Sequence, residues 1–123
     1  MSFSSRHHPM QLKLAAIPHG EDVVITLDGA LSAGDAVAAQ VELLNLTATC
    51  TGRIVLDCTK LTYVASMGLR ALLALHRNAT GRSKGVCLAC LSEPVSEILK
   101  IAGFHAHFAT APTVEQALVA KAP

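Results

Sequence analysis

Aromatic residues are nearly missing from this sequence, which has three Phe, one Tyr and no Trp among its 123 residues. Since 51% of the residues are apolar, the core must be aliphatic, built from Leu, Val, Ile and Ala. Charge of either sign is also scarce, because the ten Lys and Arg residues are scattered and the formal net charge is only +1. Nucleic-acid binding usually needs a basic patch, often with stacking aromatic side chains, so this composition argues against it.

Long apolar runs are absent as well, because none approaches the roughly 20 residues that a membrane-spanning helix needs. The first nine residues have no apolar segment of the kind that marks a secretory signal. We therefore expect a cytoplasmic protein without membrane insertion. The chain length predicts one domain over residues 11–123, preceded by a flexible, Ser- and His-rich arm over residues 1–10.

The sequence lacks the common motifs of catalysis, namely the P-loop, the dinucleotide-binding GxGxxG, HExxH and GxSxG. We expect neither enzymatic activity nor a cofactor. Cys87 and Cys90 have CxxC spacing, but they fall in an apolar strand predicted over 86–91, where residues three apart point to opposite faces. His105 and His107 are predicted on one face of a strand, without a nearby Cys, Asp or Glu to complete a metal site. A thiol or metal enzyme built on these residues is the remaining catalytic alternative.

The pattern of apolar residues and turn residues predicts alternating strands and helices. The predicted strands cover residues 12–17, 23–27, 54–57, 86–91 and 104–108, and the helices cover 36–46, 66–77, 92–102 and 114–119. From the third strand onward, strand and helix alternate, which favours a mostly parallel sheet. The first two strands form a hairpin and add an antiparallel edge. The fold class is α/β, with about five strands and four helices.

The start of the first helix can be specified further. Asp35 is predicted to be its N-cap, because Asp side chains accept hydrogen bonds from first-turn N–H groups. Helical spacing places Val37, Val41, Leu44 and also Leu43 on the inner face of this helix. Ser92 and Thr113 stand at the starts of the two later helices.

One segment, residues 54–73, has a pattern that suggests a binding site. An apolar strand leads through a connection over residues 58–65 to Ser66 at a helix start, and Gly68 follows two residues later. Ser66 is either a simple N-cap or a phosphorylation site, since unpaired N–H groups and the helix dipole favour an anion there. Gly68 would keep the first turn uncrowded, so that a partner could approach closely.

This segment resembles the core of the STAS domain family, the bacterial anti-sigma factor antagonists. In that family a Ser at a helix start is followed, after one intervening residue, by Gly-Leu. Shorter matches occur in the same order at residues 29–31, 101–104 and 113–118, and the resemblance covers residues 12–120. It implies a single STAS-like domain whose unphosphorylated form binds an anti-sigma factor that is also a serine kinase. It further implies that phosphorylation of Ser66 releases this partner and that a PP2C-type phosphatase resets the switch.

The resemblance also implies a partner-binding surface around Ser66, formed by Ser32, Ala65, Met67, Gly68 and Arg70. Relatives often have Asp at the position of Ser32 and an acidic or second hydroxyl residue at that of Ala65. A phosphate would therefore be a larger relative change of charge here. Met67 could instead fill the core, and Arg70 could be a solvated surface residue. The alternative function is a non-switching STAS subunit of a larger assembly, a scaffold or a lipid-transport complex.

Overall fold

Five strands form one mixed sheet in a computed structural model that describes residues 10–82 and 84–119. The strands are β1 (Lys13–His19), β2 (Asp22–Leu31), β3 (Ile54–Val64), β4 (Val86–Ala89) and β5 (Ala109–Ala111). Their order in the sheet is the order in the chain, with β1 antiparallel to β2 and all other pairs parallel. The predicted α/β sheet with an antiparallel edge is confirmed. The predicted arm lies, except for Met10, outside the described residues.

The helices are α1 (Ala36–Thr47), α2 (Ser66–Gly81), α3 (Glu93–Ile101) and α4 (Val114–Val119), and a 3-10 helix covers Phe104–His107. Helices α1, α2 and α3 cover one face of the sheet over a large aliphatic cluster that includes Ile25, Leu43, Leu56, Leu75 and Leu99. Helix α4 covers part of the other face over a smaller cluster, which includes Val24, Val55, Cys87 and Ala117. None of the described helices is long and apolar enough to cross a membrane.

Two strands are longer than predicted. Strand β2 continues beyond Leu27 to Leu31, and β3 continues beyond Asp57 to Val64, so the predicted connection over 58–65 is wrong. The register between these strands shifts at Thr26/Asp28 and again at Gly29/Ala30. Such bulges break the two-residue alternation by which a strand is identified from sequence. The irregular half of β3 is nevertheless the part that leads to the start of α2.

The inner face of α1 was predicted incorrectly. Val37 and Val41 are 69% and 54% exposed, while Leu43 is fully buried and Leu44 packs partly against the core. The buried positions of the helix are Ala36, Ala39, Leu43 and Thr47. Glu42 is the single charged residue in α1, so hydrophobic periodicity alone could not distinguish its buried face from its exposed one.

The C-terminal part contains one error and two confirmed helix starts. The strand predicted over 104–108 is wrong, because the 3-10 helix occupies this stretch and leaves both of its histidines exposed. Ser92 accepts a hydrogen bond from the Val95 N–H at 3.4 Å, and Thr113 accepts one from the Gln116 N–H at 3.1 Å. In the described ranges, no group of three or more His, Cys, Asp and Glu residues could hold a metal ion.

The cysteines are free thiols. Strand β4 ends at Ala89, and Cys90 adopts a positive φ of 61°, so its side chain packs against the same small cluster as Cys87. The prediction that these two thiols point to opposite faces is therefore wrong. Burial, with a smaller contribution from the charge of Asp57, raises the pKa of the Cys58 thiol to about 12.

Candidate functional site

The predicted site residues lie at the edge of the sheet where β2 and β3 end and where α1 and α2 begin. Leu31 and Val64 are register partners at the ends of these parallel strands, so the residues that follow them, Ser32 and Ala65, are brought to the same edge. The Ala65 N–H donates a hydrogen bond to the Leu31 carbonyl oxygen at 2.9 Å. The N-cap of α2 is therefore bonded directly to the end of β2.

Ser66 is the first residue of α2, and its side chain is exposed. The N-cap position is occupied by Ala65, which has extended backbone and no side-chain acceptor, so the interpretation of Ser66 as a simple N-cap is wrong. The first turn contains no acidic residue either. Because the positive end of the helix dipole is neutralised by no side chain of this turn, a negative group on Ser66 would be stabilised there.

Gly68 faces the interior. It is buried, and a Cβ added to it would lie 2.6 Å from Leu31 Cγ and 2.8 Å from the Leu31 carbonyl oxygen. The glycine therefore allows α2 to pack closely on the end of β2, and it does not leave the first turn open for a partner as predicted. Its contribution to the site is to fix the position of Ser66 through the packing of the first turn of α2 on Leu31.

Met67 and Arg70 are exposed on the first turns of α2, with Met67 42% exposed, so Met67 does not fill the core. Two further exposed apolar side chains belong to the same edge. Tyr63, near the end of β3, is 50% exposed, and Val37 is exposed on the first turn of α1. Sequence reasoning missed both, because it ended β3 too early and turned Val37 inward. The edge therefore combines apolar side chains with one exposed cation.

Asp35 occupies the N-cap position of α1 as predicted, but its side chain does not have the predicted capping role. Its side chain makes no hydrogen bond to α1 and is 8% exposed. Its Oδ2 atom accepts hydrogen bonds from the N–H groups of Gln11 and Leu12, at 2.9 and 3.0 Å. The Asp35 N–H donates to Ser32, with 3.3 Å to the hydroxyl and 3.2 Å to the carbonyl oxygen. No sequence signal indicated these contacts, because Gln11 and Leu12 are 24 and 23 residues away.

The candidate site is an exposed surface, and two depressions among the described residues lie away from it. A depression of about 300 Å³ is lined by Thr26, Leu27, Asp28, Asp57, Thr59 and Lys60. A second, of about 480 Å³, lies along α1 and is lined by Ala38, Val41, Glu42, Asn45 and Leu46. Neither is lined by a predicted site residue, and Ser66, Met67 and Arg70 are exposed on the surface.

Residues 13–117 match the family model of the STAS domain. The chain belongs to the STAS domain family. The same fold occurs in an anti-sigma factor antagonist from Mycobacterium paratuberculosis, with a TM-score of 0.75, 20% identity and coverage of 90% of this chain and 94% of that chain. The phosphorylated form of the Bacillus cell fate determinant SpoIIAA gives a TM-score of 0.63 at 20% identity, covering 86% and 95% of the two chains. A sulfate transporter family protein from Wolinella succinogenes gives 0.71 at 16% identity, covering 83% and 85%.

Proposed function

We propose that this STAS protein is a cytoplasmic anti-sigma factor antagonist that acts by partner switching and has no catalytic activity of its own. The unphosphorylated form binds an anti-sigma factor that is also a serine kinase, phosphorylation of Ser66 releases it, and a PP2C-type phosphatase restores binding. The observation that carries the proposal is the exposed Ser66 at the first position of α2, with no capping or acidic side chain beside it. The likeness to an anti-sigma factor antagonist and to a phosphorylated relative supports it.

The proposed contact surface consists of Ser32, Ala65, Met67 and Arg70, with Gly68 acting from beneath through its packing on Leu31. In the complex, Met67 supplies apolar contact at the centre and Arg70 supplies the charge at the rim. Small residues at positions 32 and 65 let the partner approach the Ser66 hydroxyl. This arrangement suits a kinase that binds the same surface that it modifies.

Phosphorylation would act on this surface through charge. A phosphate adds about −1.5 to −2 charges near neutral pH, on an edge whose exposed side chains are mostly apolar or small. Leaving a buried charge uncompensated in an interface costs about 3–5 kcal/mol, which corresponds to a loss of affinity of roughly 100- to 4,000-fold. In the free protein the same phosphate is stabilised by the helix dipole by about 0.3–1 kcal/mol. The switch therefore needs no refolding.

The test is to incubate the protein with its cognate serine kinase and ATP and to measure the intact mass. We expect one added phosphate in the wild type and none in Ser66→Ala. Thr80→Ala is the matched control, because it removes an exposed hydroxyl at the other end of α2, outside the proposed contact surface, and should leave the phosphate on Ser66. Labelling that persists in Ser66→Ala would refute the site. Ser66→Asp should weaken kinase binding, and unchanged affinity would place the interface elsewhere.

A non-switching STAS subunit of a larger assembly is the second candidate. It is favoured by Ala65, which leaves the residue before Ser66 without an acidic or hydroxyl group, and by the likeness to a sulfate transporter family protein. Under this function the protein would co-purify with a scaffold or membrane partner, and kinase treatment would not change that association. Release of the partner by kinase and ATP would exclude it.

A further inference from the structure

Asp35 is a buried carboxylate at the edge that holds Ser66. It is the one charged side chain among the buried residues of the described structure. Burying a charged group is costly unless hydrogen bonds compensate it, and two backbone N–H groups do so here. Because α1 begins without a cap from this side chain, the carboxylate serves the contact with Gln11 and Leu12 instead.

The contacts of Asp35 continue to the start of α2. Its side chain fixes the segment that enters β1, and its N–H bonds to Ser32. Leu31, the preceding residue, accepts the Ala65 N–H through its carbonyl oxygen and supports Gly68 from below. Asp35 is thus connected through the turn of residues 32–35 to Leu31. Leu31 in turn contacts the residue before Ser66, Ala65, by a hydrogen bond and the residue two positions after it, Gly68, by packing.

We propose that Asp35 is a positioning residue for the Ser66 site. It anchors the turn of residues 32–35 to the start of β1, and so fixes the Leu31 carbonyl against which α2 begins. The inference rests on the proposed function, and it assigns Asp35 no direct contact with the kinase. Loss of the carboxylate should loosen the start of α2 and slow phosphorylation of Ser66 in protein that is still folded.

The experiment compares Asp35→Ala and Asp35→Asn with Asp22→Ala. Asp22 is the matched control, because its Oδ1 also accepts a backbone N–H, that of Arg53 at 2.6 Å, but at the opposite edge of the sheet. Amide hydrogen exchange at Ala65 is measured by NMR, in conditions where all variants are folded. We expect the Ala65 amide to exchange about tenfold faster in Asp35→Ala than in Asp22→Ala. This is the change that follows when the local free energy of opening falls by the contribution of about one hydrogen bond. Asp35→Asn should restore much of the protection, because an amide oxygen still accepts.

The second readout is the rate of Ser66 phosphorylation by the kinase, expressed per folded molecule. Asp35→Ala should lower kcat/KM, while Asp22→Ala should leave it unchanged. Equal effects of the two alanine variants on exchange and on rate would overturn the inference and reduce Asp35 to a general stabilising residue. A wild-type protein that no kinase phosphorylates would refute the proposed function. Because the exchange measurement needs no kinase, it would still decide the positioning inference by itself. If Asp35→Ala fails to fold, Asp35→Val takes its place, because it fills the buried position but accepts no hydrogen bond. Unchanged exchange at Ala65 and an unchanged phosphorylation rate in that variant would overturn the inference as well.

Discussion

Replacing Gly68 with Ala tests the close packing of α2 on β2. In a helix interior this change normally stabilises a protein by about 1 kcal/mol, because glycine has the greater conformational freedom to lose. Here the new Cβ would lie 2.6 Å from Leu31 Cγ, 2.8 Å from the Leu31 carbonyl oxygen and 3.1 Å from Leu31 Cδ2. The carbonyl oxygen cannot move aside freely, because it accepts the Ala65 N–H.

Overpacking costs about 1–3 kcal/mol, and contacts as short as 2.6 and 2.8 Å place this position in the upper part of that range. After subtraction of the helix-propensity gain of about 1 kcal/mol, we expect Gly68→Ala to lower the free energy of unfolding by about 1–2 kcal/mol relative to the wild type. For a domain of this size that corresponds to a fall in Tm of roughly 4–8 °C. Because the strain falls on the first turn of α2, phosphorylation of Ser66 should slow as well.

Gly81→Ala is the matched control, since Gly81 ends the same helix and a Cβ there would meet no atom within 4 Å. Urea unfolding should show this variant unchanged or more stable by up to about 1 kcal/mol. Leu31→Ala removes two of the three close contacts, so the double variant with Gly68→Ala should be less destabilised than the sum of the single variants. Equal stability of the two glycine variants, or strict additivity in the double variant, would refute the packing argument.

Three further predictions concern titratable groups. The pKa of His76 is lowered from its ordinary value of 6.5, first by burial and then by the charges of His107 and Arg77. The folded protein therefore favours neutral His76, and the stability that this provides is present above about pH 6.5 and is lost as the pH falls. His76→Gln should flatten urea stability between about pH 7.5 and pH 5, and an unchanged slope would contradict this. Cys58, with a pKa of about 12, should resist thiol reagents in the native protein at mildly alkaline pH and react on unfolding; fast native labelling of Cys58 would contradict its burial. If Arg70 neutralises a phosphate on Ser66, Arg70→Ala should raise the phosphoserine pKa in a ³¹P NMR titration, and an unchanged pKa would show that Arg70 stays solvated.

The order and type of most elements followed from the sequence, because buried strands and helix starts have local signals. The strand cores near Ile25 and Leu56 are continuous apolar runs, and Ser92 and Thr113 accept the first-turn hydrogen bonds expected of their positions. The long ends of β2 and β3 were missed, because bulges interrupt their alternation and because part of one sheet face is left uncovered by α4.

The helix start at Ser66 was predicted from the sequence, whereas the packing beneath it was not. A Ser two residues before Gly at a helix start is visible in the sequence, and the structure places Ser66 and Met67 on the surface. The inward packing of Gly68 and the contacts of Asp35 depend on residues 23 to 37 positions away along the chain, and a local sequence pattern carries no information about such distant partners. The exposed face of α1 could not be predicted either, because apolar side chains lie on all sides of that helix and Glu42 is its single charged residue.

The strand order bears on what this edge can recognise. In doubly wound sheets the order reverses, and adjacent helices then diverge to leave a crevice in which nucleotides and other small ligands bind. Here each new strand is added on the same side of the last one, so the parallel part of the sheet, β2 to β5, contains no such reversal. The starts of α1 and α2 instead follow neighbouring strand ends, because Leu31 and Val64 are register partners. If this surface binds a partner as proposed, its selectivity depends on the few exposed side chains there, so exchanging Met67, Arg70 or Val37 should change which partner binds while the sheet beneath stays unchanged.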